Sequence, residues 1–346
     1  MQYSKLLTSA ILFAILTHCS SDIDVTLPAV VDDQVEKTLV GPIDTMADSR
    51  AEKGGIYNVW GSSYPRSLNV FVDLNSTSSE ITGLQFEPLV TMDSVKEEPI
   101  GLLAESWQVS PDQLTFTFKL RQFAKWSDGQ PITADDFVFY YDTIMNPNNL
   151  TTVYRIDLSR FERPEAIEPY TLKLTAKEKH WRNFWAAAGL TALPKHDLDG
   201  KDFNRIDMFS VTSGPYSVVE NKVNRYVLLK RNANWWGRKL NYNLGKYNFD
   251  YIRYRFMEDR DKALETFKGG LFDAYPIYTA KIWALQTDFD KIDKNYIVKK
   301  EIRNQEPRGF QGFAINLRKT KFQDLKVRQA LSLLLNRKVM NEKLMY

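Results

Sequence analysis

Residues 101–145 read GLLAESWQVSPDQLTFTFKLRQFAKWSDGQPITADDFVFYYDTIM and predict two strands, a tight turn and the start of a helix. Residues 114–120 alternate strictly, so one face of the second strand should be buried. The apolar residues on that face are Leu114, Phe116, Phe118 and Leu120. A helix should begin at Thr133, because a hydroxyl cap followed by Asp135 and Asp136 suits the unpaired N–H groups and the helix dipole. No catalytic grouping lies within the stretch.

Length and charge limit the class of protein. At 346 residues the chain is too long for one ordinary domain and suggests two or three. Its 43% hydrophobic and 26% charged residues are typical of a soluble globular protein. The 46 basic and 43 acidic side chains give a net charge of +3, which is too balanced to indicate a nucleic-acid partner.

Aromatic side chains are frequent, with 8 Trp, 17 Tyr and 20 Phe. One interpretation is that they pack the core and its rim. The other is that some of them line a ligand cleft, since such clefts are commonly apolar and aromatic. The sequence leaves both interpretations open.

Residues 1–19 are predicted to be a targeting segment. Lys5 precedes an apolar run at residues 6–16, which is too short to span a bilayer. The run leads to Cys19, the only cysteine of the chain, and resembles a bacterial lipoprotein signal peptide that ends at a lipidated cysteine. A small residue is usual before that cysteine, and here His18 stands in its place. An ordinary secretory signal is therefore the alternative.

The sequence contains none of the common catalytic or metal-binding motifs. Only three histidines are present, with no His-x-x-x-His or Cys-x-x-Cys pair, no Gly-x-Ser-x-Gly elbow and no phosphate-binding glycine loop. Several acids are better explained as turn or cap residues: Asp128, Asp135, Asp136 and Asp273. We therefore expect a binding protein and not an enzyme, with no catalytic residue, no metal site and no cofactor.

Five motifs follow one another in an order typical of a known family. They are Lys53-Gly54-Gly55 with Leu68-Asn69, the stretch 101–145, Gly214-Pro215-Tyr216 with Arg231-Asn232 and Trp235-Trp236-Gly237, Gly270-Leu271-Phe272-Asp273, and residues 322–331. Together they resemble the family 5 extracellular solute-binding proteins, the periplasmic peptide-binding subunits of ABC importers. Residues 241–250 and 307–313 look like the subfamily that delivers oligopeptides and the peptide-nucleotide antibiotic microcin C.

The resemblance implies an α/β fold, namely a two-lobed periplasmic binding protein of class II, cluster C type, with an insert domain. The first lobe would comprise residues 53–74 and 207–306, and the insert domain residues 75–206. Residues 307–346 would begin a second lobe that is largely missing, as in a C-terminally truncated chain. Because a cleft with one wall buries little surface, we expect weak ligand binding by such a chain. Residues 20–52 lack sustained periodicity and would form a flexible tether.

The resemblance also implies a ligand and its binding residues. An oligopeptide would be held mainly through its backbone, between lobes that close by hinge motion. The residues expected to contact it are Tyr64, Ser67, Leu68, Asn69, Arg308, Gly309, Phe310 and Gln311. The partners would be ABC permease subunits with their ATPase. The protein would be a periplasmic monomer, anchored to a bacterial membrane through lipid on Cys19.

Two other interpretations remain. A surface-exposed structural or adhesive lipoprotein could reuse the same fold, because fold does not dictate function. A binder of a non-peptide solute, such as nickel or haem, is the second. Neighbouring permease and ATPase reading frames would favour transport over the surface-protein interpretation.

Overall fold

A computed structural model describes residues 27–32, 39–303 and 312–344. Strands and helices alternate in the part of the chain before residue 270, and the last segment is helical. In chain order the elements are β1 (Ile56–Gly61), α1 (Ser76–Gln85), β2 (Val90–Met92), β3 (Pro99–Gly101), β4 (Ala104–Val109), β5 (Thr115–Leu120), α2 (Ala134–Met145), α3 (Thr152–Leu158), β6 (Glu165–Glu168), β7 (Thr171–Thr175), α4 (Asn183–Ala188), α5 (Lys195–Leu198), β8 (Tyr216–Lys222), β9 (Tyr226–Arg231), β10 (Tyr251–Phe256), α6 (Arg260–Gly269), α7 (Ala280–Leu285), α8 (Asp290–Asp293), α9 (Leu325–Leu333) and α10 (Arg337–Leu344).

The first sheet has the strand order β1-β10-β9-β8. Strands β1 and β10 are parallel, with Ile56 opposite Tyr251, and the other two pairings are antiparallel. Helix α1 covers this sheet, and its fully buried Ile81 packs in one cluster with Tyr216 and Val227. We call this unit the first-lobe sheet.

The second four-stranded sheet has the order β4-β5-β7-β6 and is antiparallel throughout. The burial predicted for β5 is confirmed at Phe116, Phe118 and Leu120, whereas Leu114 is half-buried just before the strand. The predicted helix is also confirmed as α2. Its first turn is closed by the Asp136 carboxylate, whose Oδ2 accepts from the Thr133 N–H at 2.9 Å.

Core residues cross the predicted boundaries between the first lobe and the insert domain. The predicted insert domain includes α1, but Ile81 of α1 is buried against the first-lobe sheet. Conversely, Phe71 and Trp236, which were assigned to the first lobe, are buried in the core of the insert domain. The two units therefore share core residues at their junction, because the connecting segments cross from one core to the other.

The described residues of the predicted tether, 27–32 and 39–52, form ion pairs with the protein body. A guanidinium nitrogen of Arg231 lies 2.7 Å from the Asp250 carboxylate, and a second one pairs with Asp32. Farther along, Lys246 lies 2.5 Å from Asp44. These pairs hold the segment against the protein body. Local periodicity could not reveal them, because the partners lie about two hundred positions away in sequence.

The segment at residues 312–344 contains α9 and α10. The carboxylate of Asp324 caps α9 by accepting from the Lys326 N–H at 2.8 Å. Apolar side chains of this segment are exposed, including Phe313 and Leu334 at 82% and 79%. Across the described ranges, none of the helices combines the length and apolar character needed to cross a bilayer.

Candidate ligand groove

An open groove of about 850 Å³ runs beside β1. It lies where the chain leaves the carboxyl ends of parallel strands β1 and β10, the edge at which open α/β sheets commonly bind ligands. Its walls come from β1, the first turns of α1, α6 and the segment after α6. The lining residues are Tyr57, Val59, Trp60, Ser62, Ser76, Thr77, Glu80, Arg260, Leu264, Phe267, residues 273–278, Trp283, Thr287, Phe289, Ile292, residues 296–300 and Ile302.

The turn after α6 positions one wall of the groove. Helix α6 is followed by its C-cap residue Gly270, whose φ of 93° favours glycine. The chain then returns alongside β1, and Ala274 forms a parallel bridge with Val59. The Asp273 carboxylate fixes this return, since its Oδ2 accepts from the backbone N–H of Asn58 at 2.6 Å and from its side-chain amide at 3.1 Å.

Aromatic side chains build the inner wall. The rings of Trp60 and Tyr275 lie with centroids 5.0 Å apart, and Phe267 stacks on Tyr275 at 5.6 Å. The Trp60 indole N–H donates to the carbonyl of Met257 at 2.8 Å, and the Tyr275 hydroxyl donates to the carbonyl of Arg260 at 3.1 Å. Because both polar tips are satisfied, this wall is held in one arrangement.

The outer rim is aromatic but exposed. Tyr278 and Tyr296 are 81% and 78% exposed. Beside them, the Lys299 ammonium lies 4.2 Å from the centre of the Trp283 ring and donates to the Trp283 carbonyl at 2.8 Å. The rim thus offers flat apolar faces to solvent at the mouth of the groove.

Two irregular segments, residues 275–279 and 298–303, run along the groove. Within the described ranges, the backbone N–H groups of Ile277, Tyr278 and residues 298–302 make no hydrogen bond. Unpaired backbone donors are strong hydrogen-bonding groups. Both segments that line the groove therefore carry main-chain donors without a partner among the described residues.

The four predicted ligand contacts after β1 lie in the neighbouring loop, and none of them lines the groove. The Tyr64 hydroxyl donates to the side-chain oxygen of Asn221 at 2.8 Å. The Ser67 hydroxyl accepts from the Asn69 N–H at 3.1 Å, while Leu68 and Asn69 are buried at 1% and 0% exposure. Their side chains therefore support the loop, and ligand contact by its backbone stays a prediction.

The other predicted contacts, Arg308, Gly309, Phe310 and Gln311, lie outside the described residues, as does the predicted lipidation site Cys19. Sequence reasoning missed the wall formed by residues 273–302. The available signal was a run of aromatic residues without regular periodicity, from Tyr275 through Trp283 to Tyr296. Within the described ranges, no group of three or more His, Cys, Asp or Glu side chains could hold a metal ion.

Comparison with known proteins decides the family. Residues 98–346 match the family described as bacterial extracellular solute-binding proteins, family 5 Middle. The chain belongs to this family. The family and the two-lobed α/β fold class predicted from the motifs are thereby confirmed, and the family is one of solute-binding proteins.

Individual relatives are similar over most of this chain. A putative binding protein of Brucella melitensis biotype 1 is 32% identical over 281 residues, which cover 78% of this chain and 45% of that protein. The probable peptide-binding protein YejA of Agrobacterium fabrum is 30% identical over 314 residues, 86% of this chain and 50% of YejA. The chain spans about half the length of these curated relatives.

A solved structure shows the same fold. NikA from Brucella suis, determined in complex with Fe(III)-EDTA, superposes with a TM-score of 0.67 at 21% identity. The match covers 84% of this chain and 56% of that chain. At this identity the likeness concerns the fold alone.

Proposed function

We propose that this chain is part of the substrate-binding subunit of an ABC importer and that the groove beside β1 receives an extended oligopeptide. The observation that carries the proposal is the pair of segments with unpaired backbone N–H groups, residues 275–279 and 298–303. An extended peptide satisfies such groups through its own carbonyls, as strand addition does.

Sequence-independent binding is consistent with the side chains of the groove. The aromatic faces of Trp60, Tyr275 and Tyr278 offer apolar contact without selecting one side chain. Backbone hydrogen bonds supply affinity that does not depend on peptide sequence. The probable peptide-binding function in the name of YejA from Agrobacterium fabrum also supports peptide as the ligand class.

The finer parts of the proposal follow from the role. A subunit of this kind delivers its ligand to permease subunits driven by an ATPase. Lipid on Cys19 would tether it to a bacterial membrane on the periplasmic side, and it would act as a monomer. The microcin C-like peptides of the resembling subfamily are candidate ligands, together with ordinary oligopeptides.

Backbone NMR of the labelled protein tests the proposal. Unlabelled pentaalanine would be titrated to about 10 mM, a concentration that nearly saturates a site with a Kd of about 1 mM. It should shift the amide signals of Ile277, Tyr278 and residues 298–302 in a saturable way. Amides of β5, in the insert domain, should not move. The absence of any saturable shift would overturn the proposal. A saturable effect of Ni(II)-histidine at the groove, with none from peptide, would favour a non-peptide solute.

A further inference from the structure

One end of the groove is lined by apolar side chains of helices α6 and α8. Leu264 and Phe267 are three positions apart on α6, so they lie on the same face of that helix, and both line the groove. Phe289 and Ile292 have the same spacing at the start of α8 and line it as well. Together with two residues of the inner wall they form what we call the apolar end: Trp60, Leu264, Phe267, Tyr275, Phe289 and Ile292.

Contacts between the two helices set the shape of the apolar end. The Lys291 ammonium of α8 donates to the Lys268 carbonyl of α6 at 2.5 Å. The Lys268 ammonium in turn lies 5.2 Å from the centre of the Phe289 ring. On the other side, Phe267 stacks on Tyr275 of the inner wall. The apolar end is therefore a feature of the folded chain.

Much of the apolar end remains uncovered. Trp60 and Leu264 are buried, but the other four side chains are only half-buried, namely Phe267, Tyr275, Phe289 and Ile292. Apolar surface that lines a concave site favours a ligand group that removes it from water. The ligand group that fits this surface is therefore apolar and large enough to touch several of these side chains.

The polar atoms of this region are already used within the protein. The Trp60 indole N–H and the Tyr275 hydroxyl donate to backbone carbonyls, and the Thr287 hydroxyl donates to the Trp283 carbonyl at 2.6 Å. A polar side chain placed among them would lose water without gaining a hydrogen bond from these groups, which is unfavourable. The site thus disfavours polar side chains as well as favouring apolar ones.

We propose that the apolar end binds one large apolar side chain of the peptide, such as leucine or phenylalanine. This inference rests on the proposed peptide function and deepens it, because it names the class of peptide that the groove prefers. Backbone contacts along residues 275–279 and 298–303 would hold peptides of any sequence. The apolar end would add affinity for those that carry such a side chain.

The test compares three peptides by NMR titration of the labelled protein: pentaalanine, Ala-Ala-Leu-Ala-Ala and Ala-Ala-Asn-Ala-Ala. Leucine and asparagine have side chains of similar shape, so the pair isolates polarity. The leucine peptide should bind about tenfold more tightly than the asparagine peptide, as expected for partial burial of one leucine side chain. The asparagine peptide should bind no more tightly than pentaalanine.

A variant locates the preference. Phe267→Ala should reduce the leucine-to-asparagine affinity ratio to about threefold or less, because it removes part of the apolar contact. Phe184→Ala is the matched control, since Phe184 is also half-buried but lies on α4 in the insert domain, outside the groove. Its ratio should equal that of the unmodified protein. The comparison of peptides needs no variant, so the inference stays testable if Phe267→Ala does not fold.

The outcomes separate this inference from the proposed function. Saturable binding of all three peptides with equal affinity would overturn the inference and leave the proposed function intact. A tenfold preference for leucine that Phe267→Ala does not reduce would overturn the assignment to the apolar end. Failure of the unmodified protein to bind any of the three peptides would overturn the proposed function and the inference with it.

Discussion

Aromatic residues are buried in the insert domain but exposed at the mouth of the groove. In the insert domain Phe118, Phe137 and Phe161 are fully buried. At the groove mouth Tyr278 and Tyr296 remain about four-fifths exposed. Composition allowed either core packing or a ligand cleft, and the structure contains both, in separate regions. Residue type alone therefore does not assign a role; burial does.

Phe118→Ala should have the largest effect on stability. Removing a fully buried ring from the insert core should lower the free energy of unfolding by about 3 to 5 kcal/mol, because a cavity remains. Chemical denaturation followed by circular dichroism measures the change. Phe118→Leu should lose markedly less. A loss below about 1 kcal/mol for the alanine variant would mean that this core is not tightly packed.

Arg231→Met tests the contribution of a buried ion pair to stability. Arg231 is 5% exposed and pairs with Asp250, which is 4% exposed. Removing the cation would leave a buried carboxylate unpaired, so the free energy of unfolding should fall by about 3 kcal/mol. Limited proteolysis should also cut sooner near residues 27–32, which Arg231 helps to hold through Asp32. Unchanged stability and proteolysis would contradict the packing of this segment.

Glu87→Gln tests how a buried acid outside the groove affects stability. Burial raises the pKa of Glu87 well above 4.5, and among the described residues only the Trp235 indole N–H donates to its carboxylate, at 3.4 Å. As the pH rises past 4.5, Glu87 loses its proton in the unfolded chain but keeps it in the folded protein. The free energy of unfolding therefore falls. Each unit of raised pKa is worth about 1.4 kcal/mol.

The glutamine variant cannot ionise at this position. Its stability advantage over the unmodified protein should therefore be absent at pH 4 and grow toward pH 8, in denaturation series at matched ionic strength. A constant difference between Glu87→Gln and the unmodified protein at every pH would contradict the assignment of Glu87 as a buried neutral acid.

Tyr278→Ala should have the smallest effect on folding. Because the ring is exposed, the free energy of unfolding should change by less than about 0.5 kcal/mol. Pentaalanine should bind less tightly, by roughly 1 kcal/mol, if the ring contacts ligand. Tyr170→Ala in the insert domain is the control, and it should leave binding unchanged. If the unmodified protein, Tyr278→Ala and Tyr170→Ala bind pentaalanine with equal affinity, Tyr278 does not contact the ligand.

Local patterns were sufficient for much of the scaffold. Strict alternation identified β5, and a cap with early acids identified α2, because both signals arise within one element. The packing of residues 27–32 and 39–52 depends on partners such as Arg231 and Lys246, distant in sequence. The domain junction likewise depends on which core takes up Ile81 and Phe71. Neither feature has a local signature.

The sequence did not predict the groove beside β1. The family motifs predicted ligand contacts at residues of the loop after β1, namely Tyr64, Ser67, Leu68 and Asn69. The side chains of these residues support that loop. The wall at residues 273–302 has little regular structure, so it carries no period. Its role depends on the turn at Gly270 and on the bridge between Ala274 and Val59, which only the three-dimensional arrangement reveals.

Photo-crosslinking tests whether peptide binds in the groove beside β1. A pentaalanine peptide with p-benzoylphenylalanine at its third position would be irradiated with the protein, and the attached residues mapped by mass spectrometry. We predict attachment within residues 57–80 and 260–302, reduced by excess pentaalanine. Attachment confined to the insert domain, residues 86–206, or attachment that excess peptide does not reduce, would contradict the groove as the ligand site.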